Sequence, residues 1–168
     1  MKILDSSVVI LFLNDIGGKE YLALLSRNNV NLHIPDSVYN EIIDDNQVHD
    51  LNSLISQKVI TKMVGNNPSE EVALKRRFPN LGNGEINVLC WGLKLKDSGT
   101  QYYCVIDEKL GRNAATKLQL HLTGSIGLLR ILKERKLLSS EQLKIIVEDI
   151  KKSPFRVSEE VLRSLVDE

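Results

Sequence analysis

The chain has 168 residues, 42% of them hydrophobic and 26% charged, with 22 basic side chains against 22 acidic ones. That length is enough for one hydrophobic core and short for two ordinary domains. A formal net charge of zero excludes attraction of nucleic acid by bulk basicity, so any such contact must come from a local patch.

Lys2-Ile3-Leu4 reads as a short strand that ends on Asp5. Asp5, Ser6 and Ser7 offer capping oxygens ahead of a helix through Val8 to Leu13, and Asn14 to Gly18 breaks it. Lys19 to Arg27 is a second helix. Asn31-Leu32-His33-Ile34 is a second strand, and Pro35 starts a helix that carries Glu41. Residues 48–56 read as helix, Lys58 to Val64 as an edge strand, and Gly65 to Pro68 as a turn into a charged helix from Ser69. After the loop Leu81-Gly82-Asn83-Gly84, the apolar set Ile86, Leu89, Cys90 and Leu93 has helical spacing. Gln101 to Ile106 is the clearest buried strand, followed by Asp107 and a helix over Glu108 to Lys117. Gln119 to Leu122 is a last strand, and Thr123-Gly124-Ser125 leads into the helix from Ile126. Two more helices, Ser140 to Lys151 and Ser158 to Val166, finish the chain. Strands alternating with helices predict a mostly parallel sheet covered on both faces.

Cys90 and Cys104 lie in apolar segments and read as buried, unpaired thiols of a reducing compartment, without zinc-site spacing. His33, His49 and His121 are scattered and read as structural. No apolar run approaches a membrane span, and Asp5 interrupts the N-terminal run, which has no cleavage site after it. The expected location is cytoplasmic, with no membrane contact.

Four acids stand where strands or loops hand over to helices: Asp5, Glu41, Glu85 and Asp107. Residues just past the carboxyl ends of parallel strands converge on one crevice, which brings at least Asp5 and Asp107 together. Clustered carboxylates repel, and a hard divalent cation is what usually holds them. Taken singly, Asp5 and Asp107 also suit helix caps, Glu41 a solvent-facing position, and Glu85 an ordinary glycine-loop helix entry. Arg112, one turn beyond Asp107, suits either an RNA phosphate or charge balance against nearby acids. No serine–histidine–acid or cysteine–histidine set offers another nucleophile.

Order and spacing together are more specific. Asp5-Ser6 follows the first strand. Pro35-x-x-Val38-x-x-Glu41 comes next, then Leu81-Gly82-x-Gly84-Glu85, then Val105-Ile106-Asp107-Glu108-x-x-Gly111-Arg112-x-x-Ala115. Leu122-Thr123-Gly124-Ser125-Ile126-Gly127-Leu128-Leu129 and the Phe155-Arg156-Val157-Ser158 lead into the last helix complete the series. The series resembles the PIN-domain nucleases, in particular an uncharacterised branch related to VapC-type toxins.

The resemblance implies an α/β fold, a three-layer α/β/α sandwich with a mostly parallel sheet, formed as one domain over residues 1–168. Residues 139–168 would be a helical C-terminal extension packed on it. It further implies an Mg²⁺- or Mn²⁺-dependent endoribonuclease whose metal-holding quartet is Asp5, Glu41, Glu85 and Asp107. Ser6, Thr123 and Ser125 fall close to that site, with Arg112 on the substrate side. Implied partners are an RNA substrate, a small antitoxin protein and a second copy of the chain. The chain departs from VapC-type sequences at Glu85, where aspartate is frequent. Two alternatives stand beside this reading. One is a non-catalytic PIN-like RNA- or protein-binding module. The other is an aspartyl-phosphate enzyme using Asp5, which lacks the expected second aspartate, since position 7 is Ser7.

Overall fold

A computed structural model describes residues 1–167. Among the described residues, five strands form one sheet: β1 (Lys2–Leu4), β2 (Leu32–Pro35), β3 (Ile60–Met63), β4 (Tyr103–Val105) and β5 (Leu122–Thr123). All neighbours pair in parallel, in the order β3-β2-β1-β4-β5. The chain runs outward from β1 through β2 to β3, then returns to place β4 on the other side of β1. Strand order therefore reverses between β1 and β4, where an open α/β sheet forms its crevice. Asp5 and Asp107 follow those two strands.

The helices are α1 (Ser6–Ile10), α2 (Lys19–Arg27), α3 (Asp36–Glu41), α4 (Asp45–Ser56), α5 (Pro68–Arg77), α6 (Asn83–Asp97), α7 (Lys109–Lys117), α8 (Ser125–Glu134), α9 (Ser140–Lys152) and α10 (Glu159–Val166). With the sheet they build the three-layer α/β/α arrangement. The short strands are apolar on both sides because helices cover both faces: Ile3, Leu4, Ile34, Cys104 and Val105 are fully buried. α6 touches β1, β2 and β4 and buries Ile86, Val88 and Leu89.

The C-terminal helices join the same core. Ser139 caps α9 by accepting from the Gln142 N–H at 3.2 Å, and Gln142 Oε1 accepts from the Ser139 N–H at 2.9 Å. Leu143, Ile146 and Ile150 of α9, with Leu162 and Leu165 of α10, are buried in one cluster with the sheet residues. α10 packs on both α8 and α9. No helix among the described residues is long and apolar enough to cross a membrane.

Three local expectations shift. The helix after Asp5 does not break at Asn14: it widens into a π-helical turn over Leu11–Asp15. The last strand lies at Leu122–Thr123 rather than from Gln119, because Gln119 takes φ +55° and turns the chain out of α7. The strand over Gln101 to Ile106 narrows to Tyr103–Val105, as a sheet ladder needs a partner and β1 is only three residues long.

Candidate active site

Asp5 is 2% exposed at the carboxyl end of β1. Its N–H donates to the Val105 carbonyl at 3.1 Å, which ties it to β4, and its carbonyl accepts from Val9 at 3.2 Å to start α1. The residue occupies the N-cap position with extended backbone, but its carboxylate makes no capping bond. Instead Oδ2 accepts from the Ser7 hydroxyl at 3.1 Å, and Oδ1 is buried without a partner among the described residues. Burial raises the Asp5 pKa from 3.8 to about 7, and the charges of Glu85 and Glu41 push the same way. Backbone and hydroxyl hydrogen bonds from Ser6 and Ser7 offset part of this.

Glu41 ends α3, and Glu85 lies in the first turn of α6. Glu41 Oε1 accepts from the Gly84 N–H at 2.7 Å, and Glu85 Oε2 accepts from the Gly82 N–H at 3.0 Å. Glycine at position 84 lets this carboxylate approach: a Cβ there would lie 2.9 Å from the Glu41 carboxyl carbon and push it away. A Cβ at Gly111 of α7 would likewise lie 2.5 Å from Glu85 Oε1. That oxygen is buried and unpartnered among the described residues. Burial raises the Glu85 pKa, and Glu108 and Glu41 add to the rise.

Asp107 follows β4, as expected, but its carboxylate turns to the N-terminus of α8. The Ser125 N–H donates to Oδ1 at 2.8 Å and the Ser125 hydroxyl to Oδ2 at 2.5 Å. Burial raises its pKa, which Ser125 and Arg112 offset and Glu108 reinforces. Asp5, Glu41 and Glu85 thus form one charge-coupled group. Glu108 adds to the rise at both Glu85 and Asp107. Among the described residues no three carboxylates, thiols or imidazoles stand close enough to surround one ion as placed. The reason is local: backbone N–H groups hold Glu41 and Glu85, and Ser125 holds Asp107.

The neighbours fall less evenly. Ser125 is fully buried on Asp107. Ser6 supports Asp5 through its backbone, and the hydroxyl on Asp5 belongs to Ser7. The Thr123 hydroxyl abuts Gly127 of α8, and its carbonyl accepts from Arg112 Nη1 at 3.3 Å. The same Nη1 donates to the Ile106 carbonyl at 2.7 Å. Arg112, expected toward substrate, therefore braces the ends of β4 and β5 with one nitrogen, beside the ladder bond in which the Thr123 carbonyl accepts from the Ile106 N–H at 3.1 Å. Two contributors escape sequence reasoning: Ser7, whose spacing two residues after Asp5 was the available signal, and Glu108, which reads as an ordinary first-turn acid.

No curated protein and no solved structure matches the chain. A family model described as PIN domain matches residues 1–168. The sheet order, the acids at its switch point and a match over the whole length agree, and the chain belongs to the PIN-domain family.

Proposed function

We propose that the protein is an endoribonuclease that hydrolyses RNA phosphodiester bonds at the mouth formed by Asp5, Glu41, Glu85 and Asp107, with Mg²⁺ or Mn²⁺ as cofactor. The observation that carries this reading is the pair of buried carboxylate oxygens, Asp5 Oδ1 and Glu85 Oε1, that have no partner among the described residues. No lysine or arginine among the described residues forms an ion pair with any of the four acids. Unpaired buried charge costs several kcal/mol, roughly, and a hard cation is the partner that suits oxygen donors.

The donor set fits such an ion in kind: Asp5, Glu41 and Glu85 would hold it, with Asp107 at the edge of the mouth. Bound there, it supplies activation of a water and neutralisation of charge on the phosphoryl group. The chain's own contribution is orientation. Backbone N–H groups fix one oxygen each of Glu41 and Glu85, Ser7 fixes Asp5, and Ser125 fixes Asp107 before any ligand arrives.

A role as the toxin of a toxin–antitoxin pair extends the proposal. Ile43 and Leu110, 85% and 57% exposed, lie two and three residues beyond Glu41 and Asp107. A small antitoxin protein or a second copy of the chain would cover them.

The separation of the carboxylates as placed favours a second reading, a non-catalytic PIN-like RNA- or protein-binding module. One experiment decides between them. Mn²⁺ is titrated into EDTA-treated protein by calorimetry, and cleavage of labelled single-stranded RNA is followed for wild type and Glu85→Gln. Metal binding and metal-dependent cleavage, both lost in the variant, support the nuclease. Wild type that binds RNA but neither metal nor cleaves it replaces the proposal with the binding module.

A further inference from the structure

A cleft of about 390 Å³ opens between the first turns of α8 and the segment that joins α9 to α10, with Asp107 at one end. Arg112, Arg130 and Arg156 line it against that single acid. In a chain of 22 basic and 22 acidic side chains, this is a local excess of positive charge beside the acidic mouth.

The three arginines keep their charge uncancelled. Lys19, Lys62, Lys151, Lys152 and Arg163 sit in ion pairs, and among the described residues none of the three cleft arginines does. Arg130 Nη2 donates to the Ser164 hydroxyl at 2.9 Å, and Arg156 Nη1 to the Ser153 carbonyl at 3.3 Å. Neutral acceptors orient both guanidinium groups without cancelling their charge, and most of their five donors remain available. Arg112 is held by carbonyls, as above.

Phe155 adds an aromatic side chain to the same wall. Its position is fixed by buried Ser153, whose hydroxyl donates to the Ile150 carbonyl at 2.8 Å and accepts from the Phe155 N–H at 3.1 Å. The turn Ser153-Pro154-Phe155-Arg156 thus ends α9 and brings both Phe155 and Arg156 to the wall of the cleft.

Guanidinium groups grip phosphate oxygens in bidentate fashion, and an aromatic face stacks on any unpaired base. We propose that this cleft is the subsite for the nucleotide adjoining the scissile phosphate. Arg130 and Arg156 hold a backbone phosphate and Phe155 stacks on a base, which makes the substrate single-stranded RNA. The inference rests on the ribonuclease reading and gives α9 and α10 a role: they build the substrate-binding wall.

The test uses the full chain in EDTA and a labelled single-stranded RNA of about ten nucleotides, followed by fluorescence anisotropy across a salt series. Arg130→Ala with Arg156→Ala should flatten the slope of log affinity against log salt by about 0.7, the single-strand coefficient for the one phosphate they hold. Phe155→Leu should weaken binding about tenfold with the slope unchanged. In Mn²⁺-dependent cleavage the same variants should raise KM and leave kcat within about twofold. Arg156→Ala alone, which gives up only the 3.3 Å contact, serves if the double variant melts early. Arg163→Ala, on α10 and paired with Glu159 at 3.2 Å, is the control that should change nothing. Wild type that cleaves RNA while the arginine variants keep its affinity, slope and KM overturns the cleft and leaves the ribonuclease standing. Wild type that neither binds nor cleaves RNA removes both.

Discussion

Asp5→Asn should stabilise the metal-free protein, and by an amount that grows with pH. The carboxyl group titrates near 7 in the folded chain against an ordinary 3.8. A carboxyl whose folded pKa is raised binds its proton more tightly in the native state than in the unfolded chain. Its contribution to stability is complete below the unfolded value and is lost as pH rises through the folded one. At about 1.4 kcal/mol per pH unit, the loss accumulates between pH 4 and pH 7 to roughly 4 kcal/mol. Asparagine keeps the size and an oxygen to accept from Ser7, and it carries no charge to desolvate. Its amide protons enter a site with few acceptors, so a gain of about 2–4 kcal/mol at pH 8 in EDTA is expected. For a chain of this length that is a rise in Tm of roughly 4–16 °C.

Near pH 4 the two proteins should melt together. Glu85 and Asp107, also raised, titrate in both proteins and largely cancel from the comparison. Mn²⁺ should reverse the order at pH 8, because it binds the native state of the wild type and restores the charge balance there. The assay is thermal melting of both proteins from pH 4 to 8, with EDTA and with Mn²⁺. A variant less stable than wild type at pH 8 in EDTA, or a difference that does not change with pH, would refute the claim that Asp5 is a buried charge in need of a partner.

Gly84→Ala places a Cβ against the Glu41 carboxylate and should push it aside, with loss of metal affinity and little loss of stability, since only the end of a flexible side chain moves, measured by melting and Mn²⁺ calorimetry; unchanged metal binding would mean that Glu41 is not held for that purpose. Cys90 and Cys104 are buried, with thiol pKa values pushed up to about 12, so thiol reagents at pH 8 should react slowly with native protein and reach two thiols on unfolding. Fast labelling of either would contradict the packing. Lys58 follows α4 with φ +59° and is exposed, so Lys58→Gly should raise stability by about 1 kcal/mol in denaturant melts.

The layout of the sheet was legible because it depends on patterns the chain writes locally. Short apolar runs such as Ile3-Leu4 mark strands buried on both faces, and α2 matched its expected ends at Lys19 and Arg27 through a clean helical period. The ends of other elements were not legible where the deciding residue lacks a characteristic identity. Asn29, Lys58, Gln119 and Lys136 each stand two residues past a helix with φ between +55° and +63°, the position where glycine would announce a stop. Three of the four carry side chains that give no such sign, and Gln119 displaced the start of β5 for that reason. The π-helical turn at Leu11–Asp15 was hidden in the same way, since its residues suit an α-helix equally well.

At the site, the positions of the acids were legible and their partners were not. Strand ends fix where Asp5 and Asp107 begin, but a carboxylate is steered by whichever donor lies nearest in space. For Asp107 that donor is Ser125, eighteen residues on, and for Glu41 it is the Gly84 N–H, forty-three residues on. Glycines make both approaches possible. A Cβ at Gly124 would lie 2.7 Å from Asp107 Oδ1, as one at Gly84 or Gly111 would crowd Glu41 or Glu85. Three of the four acids are therefore seated against a residue without a side chain, on a different element from their own. The Gly82-x-Gly84 and Thr123-Gly124-Ser125 stretches read along the chain as loops and Gly111-Arg112 as part of a helix. In space they are the backbone surface against which the carboxylates rest, so acids and glycines have to change together for this mouth to keep its shape.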